Sequence, residues 1–487
     1  MSHLSVQKLA DRYRHMPVTV KAALAYTICS ILQRSLSLIT VPLFTRLLST
    51  AEYGQVNVYG SWQGIMAVII TLQVPFDTFS AAMVKYQDRR DAYTSCVQVF
   101  CVAMGMAALA VIAIFEPWFS TAFELPGWII KLMVLEITAN AAIYCWFARE
   151  RYEFRYRPVV FLTLVQSVIS IIFSVLSVLN SSERGYARIA GNSFASILFG
   201  AAVFLLCLYR GRKIFEWEFV KYILGFNLPL LPYYLSQIIF NSSDRIMISS
   251  LKSSSEAGIY GIAHSLGMLL SFVLSAVLNV FQPWFFSRIA DGTAAQKKRI
   301  TTLIALGMAV LVLGILMAAP EIILVMVGKA YREAVWAVPP IAASLYAYYC
   351  ASIFLYLDFY HEKKACMNAA TILAAAVNVG LNWILIPHFG FLGAAYTTLF
   401  SYLVFEAVAY YSYRRILKQY GCQEELFEDN WILGIQAALS AAGFGILFLY
   451  RWFWIRMAFL VLVVILILWK KNKIIQIYRQ LREHGKL

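Results

Sequence analysis

The sequence predicts an all-α polytopic membrane protein, and three observations lead to this fold class. Of the 487 residues, 61% are hydrophobic and only 14% are charged, whereas soluble domains average about 25% charged residues. Apolar windows of roughly 20 residues, the length that crosses a bilayer core, recur along the whole chain. Basic residues alternate between crowded and nearly empty loops. The composition excludes a soluble enzyme, a secreted disulfide scaffold and a disordered chain.

The apolar windows predict about 14 transmembrane helices. Residues 1–20 are polar and basic and do not resemble a cleaved signal peptide, so the first apolar window is expected to be a span. The predicted spans lie at approximately 21–44, 56–78, 93–115, 128–148, 158–180, 186–209, 220–248, 258–287, 301–327, 334–357, 365–386, 391–412, 431–450 and 452–469.

The distribution of Lys and Arg among the loops predicts the orientation. Thirty of the 41 basic residues fall on the side that holds both termini, and seven fall on the opposite side. Because Lys and Arg concentrate in cytoplasmic loops, both termini are expected in the cytoplasm. The outer loops are too short for a folded domain. The eight cysteines contain no C-x-x-C pair, so neither a disulfide framework nor a metal site is expected.

An internal repeat divides the chain into two halves. Ser49–Gly54 (STAEYG) matches Ser253–Gly258 (SSSEAG) at an offset of 204 residues. A second match, at an offset of 205, joins Glu183–Tyr186 (ERGY), which precedes span six, to His388–Phe391 (HFGF), which precedes span twelve. Six spans in each copy predict two parallel six-helix lobes plus two C-terminal helices. The expected organisation is a cytoplasmic segment 1–20, an N-lobe 21–215, a C-lobe 216–416, a cytoplasmic loop 417–430, spans 431–469 and a basic tail 470–487.

Three stretches carry a family resemblance: Val41–Gly54, Asp244–Met247 with Glu256–Tyr260, and Asn382–Pro387 with Gly390–Ala395. In their order and position the sequence resembles the oligosaccharide flippases of bacterial O-antigen and capsule assembly, in the multidrug/oligosaccharidyl-lipid/polysaccharide exporter superfamily. The resemblance implies that a polyprenyl-diphosphate-linked oligosaccharide crosses the bacterial cytoplasmic membrane by alternating access. It also implies partners: this lipid-linked substrate, membrane lipids and polysaccharide polymerase or ligase machinery, with no nucleic acid.

Three basic residues within the predicted spans are candidates for binding the diphosphate: Arg34, Arg245 and Lys131. Ionisable groups in the membrane are costly and tend to face water-filled cavities, and arginine binds phosphate oxygens bidentately. Each has a structural alternative. Arg34 can pair with Glu136, Asp244 can neutralise Arg245, and Lys131, like Arg456, can snorkel to the interface.

Polar side chains on the same spans predict a path for the sugars. Gln33 and Gln237 occupy corresponding positions of the repeat, and Asn241 follows on the face of Gln237. Tyr346, Tyr349 and Tyr356 form a stripe on span ten that suits sugar stacking, although a helix–helix interface is the commoner use. Pro229, Pro232 and Pro339–Pro340 are expected to bend or break helices.

Three acidic residues, Glu136, Asp77 and Glu406, are candidates for carrying a coupling ion, H⁺ or Na⁺, or for balancing a cation. No cofactor is expected, and no catalytic template is present: the nucleotide-binding loop G-x-x-x-x-G-K-[ST] does not occur. The leading hypothesis is therefore a flippase and not an enzyme. The alternatives are a cation-coupled multidrug antiporter, which favours an acidic cavity, and a membrane polymerase or ligase, which needs a substantial outer loop.

Overall fold

The computed structural model describes residues 16–293, 295, 298–420 and 425–469, except the side chains of 34, 37, 38, 77, 364, 365, 463, 464 and 466–469. Helices are the regular elements of this part of the chain. They are α1 Val18–Leu47, α2 Thr50–Thr71, α3 Asp77–Lys85, α4 Arg90–Ile114, α5 Glu116–Phe123, α6 Gly127–Tyr152, α7 Tyr156–Leu179, α8 Arg184–Gly211, α9 Trp217–Asn227, α10 Leu231–Leu251, α11 Ser254–Ala290, α12 Lys298–Met326, α13 Val338–Tyr360, α14 Lys364–Gln419, α15 Asp429–Leu449 and α16 Phe453–Trp469.

Every predicted span falls on helical structure, which confirms the all-α polytopic fold class. Ten helical stretches of the described chain are long and apolar enough to cross a membrane. Three differences separate this count from fourteen. Spans eleven and twelve form one stretch, α14. The helix of span two, α2, carries polar residues along its first half, and spans one and fourteen contain side chains outside the described part.

Prolines mark two of the helix boundaries, and one predicted span is interrupted. The predicted span seven is split into α9 and α10 by a 3₁₀ turn, Leu228–Leu230, that contains Pro229. Pro339 and Pro340 lie in the first turn of α13, where a missing N–H costs nothing, and so they begin this helix instead of bending it. The predicted span two, 56–78, is not one continuous helix: α2 ends at Thr71, and a separate helix, α3, starts at Asp77.

The chain forms two compact units, Met1–Ile238 and Ile239–Leu487. In unit 1, helices α4, α6, α7 and α8 pack together. Close approach there depends on small residues, as in other membrane helices: a Cβ at Gly200 would lie 2.6 Å from the Ala139 backbone, and one at Gly191 would lie 2.6 Å from Ser174 Cα. In unit 2, α13 is the central helix, since it is the most buried candidate span and packs against α11, α12, α14 and α15. The lobe limits 21–215 and 216–416 stay a prediction.

The two repeat segments meet inside each unit. In unit 1, Ser49 and Glu52 form a capping box at the start of α2, and a Cβ at Gly185 would approach the Glu52 carbonyl oxygen to 3.0 Å. In unit 2, Ser253 caps α11 by accepting from Glu256 N–H, and the Glu256 carboxylate accepts from Phe391 N–H at 2.8 Å. Gly390 is the single non-helical residue within α14, with φ +59°. The pairing of the same two segments supports the repeat that the sequence predicts.

The last helix is held by a buried ion pair. Arg456 on α16 is 3% exposed and donates from both Nη atoms to the Glu321 carboxylate of α12 at 2.7 Å. It also donates to the Met317 carbonyl oxygen at 2.9 Å. The expectation that Arg456 snorkels is wrong, because Glu321 compensates its charge within the protein.

Candidate functional site

A buried carboxylate, Asp244 of α10, organises the polar centre of unit 2. Its Oδ2 accepts from the Tyr260 hydroxyl at 2.6 Å and from the Thr398 hydroxyl at 2.8 Å, and its Oδ1 accepts from Asn382 Nδ2 at 2.6 Å. Thr397 donates in turn to Asn382 Oδ1. Asp244 is 4% exposed, so these donors replace the water that the carboxylate loses on burial.

This network occupies the Asp244 carboxylate, so Arg245 forms no ion pair with it and interacts with Asp244 only electrostatically. Arg245 forms no ion pair in the described structure, with Asp244 or with any other acid. Its Nη2 donates to the Asn241 carbonyl oxygen at 2.9 Å and reaches Ser242 Oγ at 3.4 Å, and its Nε has no hydrogen-bond partner among the described residues. The two side chains form no hydrogen-bonded pair, but Asp244 interacts electrostatically with Arg245, so the expectation that Asp244 neutralises this arginine stays a prediction. An arginine with donors to spare in an apolar helix is suited to bind an anion.

Arg245 continues a polar stripe along α10. Gln237, Asn241 and Arg245 are four residues apart, so they lie on one face of the helix. Gln237 and Asn241 are exposed. Gln237 Nε2 donates to the Tyr233 hydroxyl at 2.6 Å, and Asn241 Oδ1 accepts from the Tyr402 hydroxyl at 3.5 Å. Exposed amides beside a cation are costly against lipid, so this face is suited to contact water or a polar ligand.

Unit 1 also contains a buried carboxylate, Glu136 of α6, which is 2% exposed. Its Oε2 accepts from the Tyr59 hydroxyl at 2.7 Å and from Ser193 Oγ at 2.6 Å. Its Oε1 accepts from Asn192 Nδ2 at 3.2 Å. Neutral donors thus satisfy Glu136, and it forms no ion pair within the described part of the chain.

Comparison with known proteins gives the family. A family model described as "Polysaccharide biosynthesis protein" matches residues 43–336, which is more than half of the chain. The chain belongs to this family. A curated relative, an Lsg locus protein of Haemophilus influenzae, is 32% identical over 68 residues, and this match spans 14% of the present chain and 17% of the relative.

Solved structures share the fold of this polysaccharide biosynthesis protein. The structure titled "Lipid II flippase MurJ, inward closed conformation" superposes with a TM-score of 0.68 at 15% identity, over 93% of this chain and 100% of that one. An inward-facing multidrug resistance MATE family transporter of the MOP superfamily superposes with a TM-score of 0.57 at 16% identity, over 82% and 99%. The chain is thus a multi-pass membrane protein with the fold of MOP superfamily transporters.

The tyrosine stripe lies in the core of unit 2. Tyr346 is 0% exposed and donates to the Ala305 carbonyl oxygen at 3.0 Å; Tyr356 is 6% exposed and donates to the Leu278 carbonyl oxygen at 3.2 Å. Tyr349 is also buried. In this conformation these hydroxyls join α13 to α12 and α11, which is the helix-interface role. Their role in a sugar path stays a prediction.

The other predicted site residues differ in how far the structure describes them. Lys131 donates to Glu116 Oε2 at 2.7 Å, so its charge is already compensated. Gln33 is exposed on α1. The side chains of Arg34 and Asp77 lie outside the described residues, as do residues 1–15, 421–424 and 470–487. The diphosphate-binding role of Arg34 and Lys131 and the ion-coupling role of Asp77 stay predictions.

Sequence reasoning missed the partners of Asp244, although a signal for them existed. Asp244 and Asn382 belong to two of the stretches that carry the family resemblance, and the structure brings their side chains together. Ser193 and Thr398, the hydroxyl donors to the two buried carboxylates, are separated by the 205-residue offset of the repeat. A search for polar residues at this offset would have selected both.

Proposed function

We propose that this protein flips a polyprenyl-diphosphate-linked oligosaccharide from the cytoplasmic to the outer leaflet of the bacterial cytoplasmic membrane, for surface polysaccharide biosynthesis. Three findings support the proposal: membership of a polysaccharide biosynthesis family, the transporter fold, and an arginine on a polar helix face that forms no ion pair with any described residue and whose Nε has no hydrogen-bond partner there. The third carries it, because a diphosphate is the anionic part of such a substrate.

The geometry of α10 suggests how the substrate is bound. The guanidinium of Arg245 offers its Nε and Nη donors to diphosphate oxygens, in the fork geometry that favours bidentate contact. Gln237 and Asn241 offer amide groups to sugar hydroxyls on the same face. Arg34 is the second cation of the proposal, and the polyprenyl chain stays in the bilayer during alternating access. Both termini lie in the cytoplasm, and the protein acts as a transporter that delivers its cargo to polymerase or ligase machinery.

The decisive test compares two cations, one without an ion pair among the described residues and one that is paired with a carboxylate. Arg245→Ala removes a charge that forms no ion pair with any described residue, and Lys131→Gln removes a charge that is paired with Glu116. Loss of one charge-assisted contact of about 2 kcal/mol predicts roughly 30-fold weaker binding of a polyprenyl diphosphate to Arg245→Ala. We expect a near-normal affinity for Lys131→Gln, because Glu116 already pairs with this ammonium; an equal loss in both variants would instead assign Lys131 to the diphosphate site. Binding is measured by native mass spectrometry of the purified proteins.

A cellular assay tests transport itself. Deletion of the gene should leave lipid-linked oligosaccharide on the inner leaflet, and the wild-type gene should restore surface polysaccharide. Arg245→Ala and Arg34→Ala should fail to restore it while the protein remains in the membrane. Normal polysaccharide in both variants would refute the proposal. Arg245→Lys with full activity would show that a point charge suffices and that bidentate recognition is unnecessary.

The multidrug antiporter alternative makes the opposite prediction. An organic cation requires an attractive acidic site, but the Asp244 carboxylate is occupied by three donors and the charge beside it, on Arg245, is positive. Export of cationic dyes by the wild-type protein, abolished by Asp244→Asn and unaffected by Arg245→Ala, would favour that alternative.

A further inference from the structure

A line of polar side chains runs along α11 of unit 2, a helix that contributed no predicted site residue. We call it the α11 stripe, and its members are His264, Ser271, Ser275, Asn279 and Gln282. Spacings of seven, four, four and three residues place the five side chains on one face of the helix. All five are exposed or half-buried. The stripe is therefore open to the surroundings of the helix.

Polar and apolar residues separate on the exposed surface of α11. Val273 and Val280 are exposed on the side opposite the stripe, and Leu270 and Leu274 are buried in the core. One exposed apolar residue, Met268, interrupts the stripe. An exposed valine is well placed against lipid, whereas exposed amides and hydroxyls are costly there. The valine side therefore suits the bilayer, and the stripe suits water or a hydrophilic ligand.

The polar groups of the stripe have capacity to bind such a ligand. The side chains of His264, Asn279 and Gln282 form no hydrogen bond with the described residues. Ser271 and Ser275 donate to backbone carbonyl oxygens of the preceding turn, at 2.9 and 2.7 Å, and their own oxygens can still accept. Amides, hydroxyls and a neutral imidazole both donate and accept hydrogen bonds. Sugar hydroxyls, which also donate and accept, match this set of groups.

The stripe begins beside Arg245. The hydrogen bond from Tyr260 to Asp244, at 2.6 Å, brings α11 and α10 to a common level. His264 lies one turn further along α11, and the Arg245 guanidinium reaches back along α10 to the Asn241 carbonyl oxygen at 2.9 Å. Two residues join the helices, which therefore run antiparallel, so both steps lead in the same direction. Arg245 also acts electrostatically on His264.

The α11 stripe differs from the tyrosine stripe of α13 in access and in length. Tyr346, Tyr349 and Tyr356 are buried in the core of unit 2. The α11 stripe is accessible, and the eighteen residues from His264 to Gln282 extend about 27 Å along the helix axis. It leads from the level of Arg245 towards the end of α11 that the loop charges assign to the cytoplasm. This length suits an oligosaccharide better than a single sugar.

We propose that the α11 stripe is the binding track for the sugars of the cargo. The sugar next to the diphosphate lies at His264, and later sugars contact Ser275, Asn279 and Gln282 through neutral hydrogen bonds. Arg245 selects for the diphosphate, and the stripe selects for the glycan attached to it. The track rests on the proposed function, whereas its contact with water does not.

The first experiment separates sugar contacts from phosphate contacts. The wild-type protein and the double variant Asn279→Leu/Gln282→Leu are mixed with two probes: undecaprenyl diphosphate, and the lipid-linked oligosaccharide extracted from cells that lack the gene. Native mass spectrometry measures both affinities. Loss of two neutral hydrogen bonds should weaken binding of the lipid-linked oligosaccharide about tenfold. Binding of undecaprenyl diphosphate should stay unchanged, which also shows that the variant is folded.

The matched control is Ser265→Ala. Ser265 lies on α11 outside the stripe, and its hydroxyl donates to the Gly261 carbonyl oxygen at 2.7 Å, so this variant should bind both probes normally. Normal binding of the lipid-linked oligosaccharide by the double variant would overturn the track and leave the proposed function standing. An equal loss for both probes would also overturn the track, because undecaprenyl diphosphate carries no sugar. A wild-type protein that binds neither probe would overturn the proposed function and the track with it.

The second experiment tests contact with water in the absence of cargo. Ser275→Cys and Val280→Cys proteins in nanodiscs are treated with a charged thiosulfonate reagent, and labelling of the wild-type cysteines is subtracted. Thiols react as thiolates, which form in water and are disfavoured in lipid. Ser275→Cys should therefore be labelled about tenfold faster than Val280→Cys. Equal rates would overturn the track, because the stripe would then face the same environment as the valine side.

Discussion

The two units bury a carboxylate with the same kind of donors but from different helices. Glu136 of unit 1 lies on the fourth predicted span, and Asp244 of unit 2 lies on the seventh. In unit 1, Tyr59 and Ser193 donate to Glu136, and in unit 2, Tyr260 and Thr398 donate to Asp244. Each tyrosine lies on the helix that follows the first repeat segment, and Ser193 and Thr398 occupy equivalent positions of the repeat. The repeat therefore supplies the same donors twice, while each unit supplies its own acceptor.

The consequence for charge differs between the units. Beside Asp244 lies Arg245, which forms no ion pair in the described structure, and elsewhere in unit 2 Glu406 Oε1 has no hydrogen-bond partner among the described residues. In described unit 1, Lys131 pairs with Glu116, and Arg149 pairs with Asp91 and Glu150; unit 2 also contains an ion pair, Arg456 with Glu321. The comparison therefore places an arginine without an ion pair next to the buried carboxylate of unit 2, whereas Ile137 follows Glu136 in unit 1.

The largest expected effect comes from removing the buried carboxylate of either unit. Asp244→Leu leaves the donors of Tyr260, Thr398 and Asn382 buried without an acceptor, which should lower the free energy of unfolding by about 4 kcal/mol. Glu136→Leu should cost a similar amount. Equilibrium unfolding in mixed micelles measures both, and Asp244→Asn, which keeps one acceptor oxygen, should cost less. A much smaller cost for either Leu variant would show that Glu136 and Asp244 are not structurally equivalent.

The next comparison concerns ion pairs. Glu321→Gln weakens the pair with the buried Arg456 and should cost about 3 kcal/mol. Glu116→Gln weakens the half-exposed pair with Lys131 and should cost less than about 1 kcal/mol. The same unfolding measurement gives both values. Equal costs for the two variants would contradict the prediction and would show that the contact between Arg456 and Glu321 is loose in solution.

The smallest expected difference concerns the glycines at the repeat contact. Gly390→Ala places a Cβ at φ +59° and against the Glu256 carboxylate, so it should cost about 2 kcal/mol. Gly185→Ala meets the Gln55 side chain and the Glu52 backbone without a positive φ, so about 1 kcal/mol is expected. Equal costs would show that backbone strain at Gly390 is unimportant.

The sequence by itself determined the fold class, the position of the spans and the repeat. These depend on features that are local along the chain: apolar windows, loop charges and the matched segments around Glu52 and Glu256. Helix breaks at Pro229 and Gly390 were also predictable in outline, because a missing N–H or a positive φ interrupts a helix whatever surrounds it.

Only the tertiary structure decided which charges are compensated. Asp244 and Arg245 are neighbours in sequence, yet the carboxylate bonds to residues 16, 138 and 154 positions away. Arg456 is balanced by Glu321, 135 residues earlier. Adjacent residues on a helix point in directions about 100° apart, so sequence proximity does not imply a contact. The packing of distant helices therefore leaves Arg245 without an ion pair among the described residues and selects it as the residue to test.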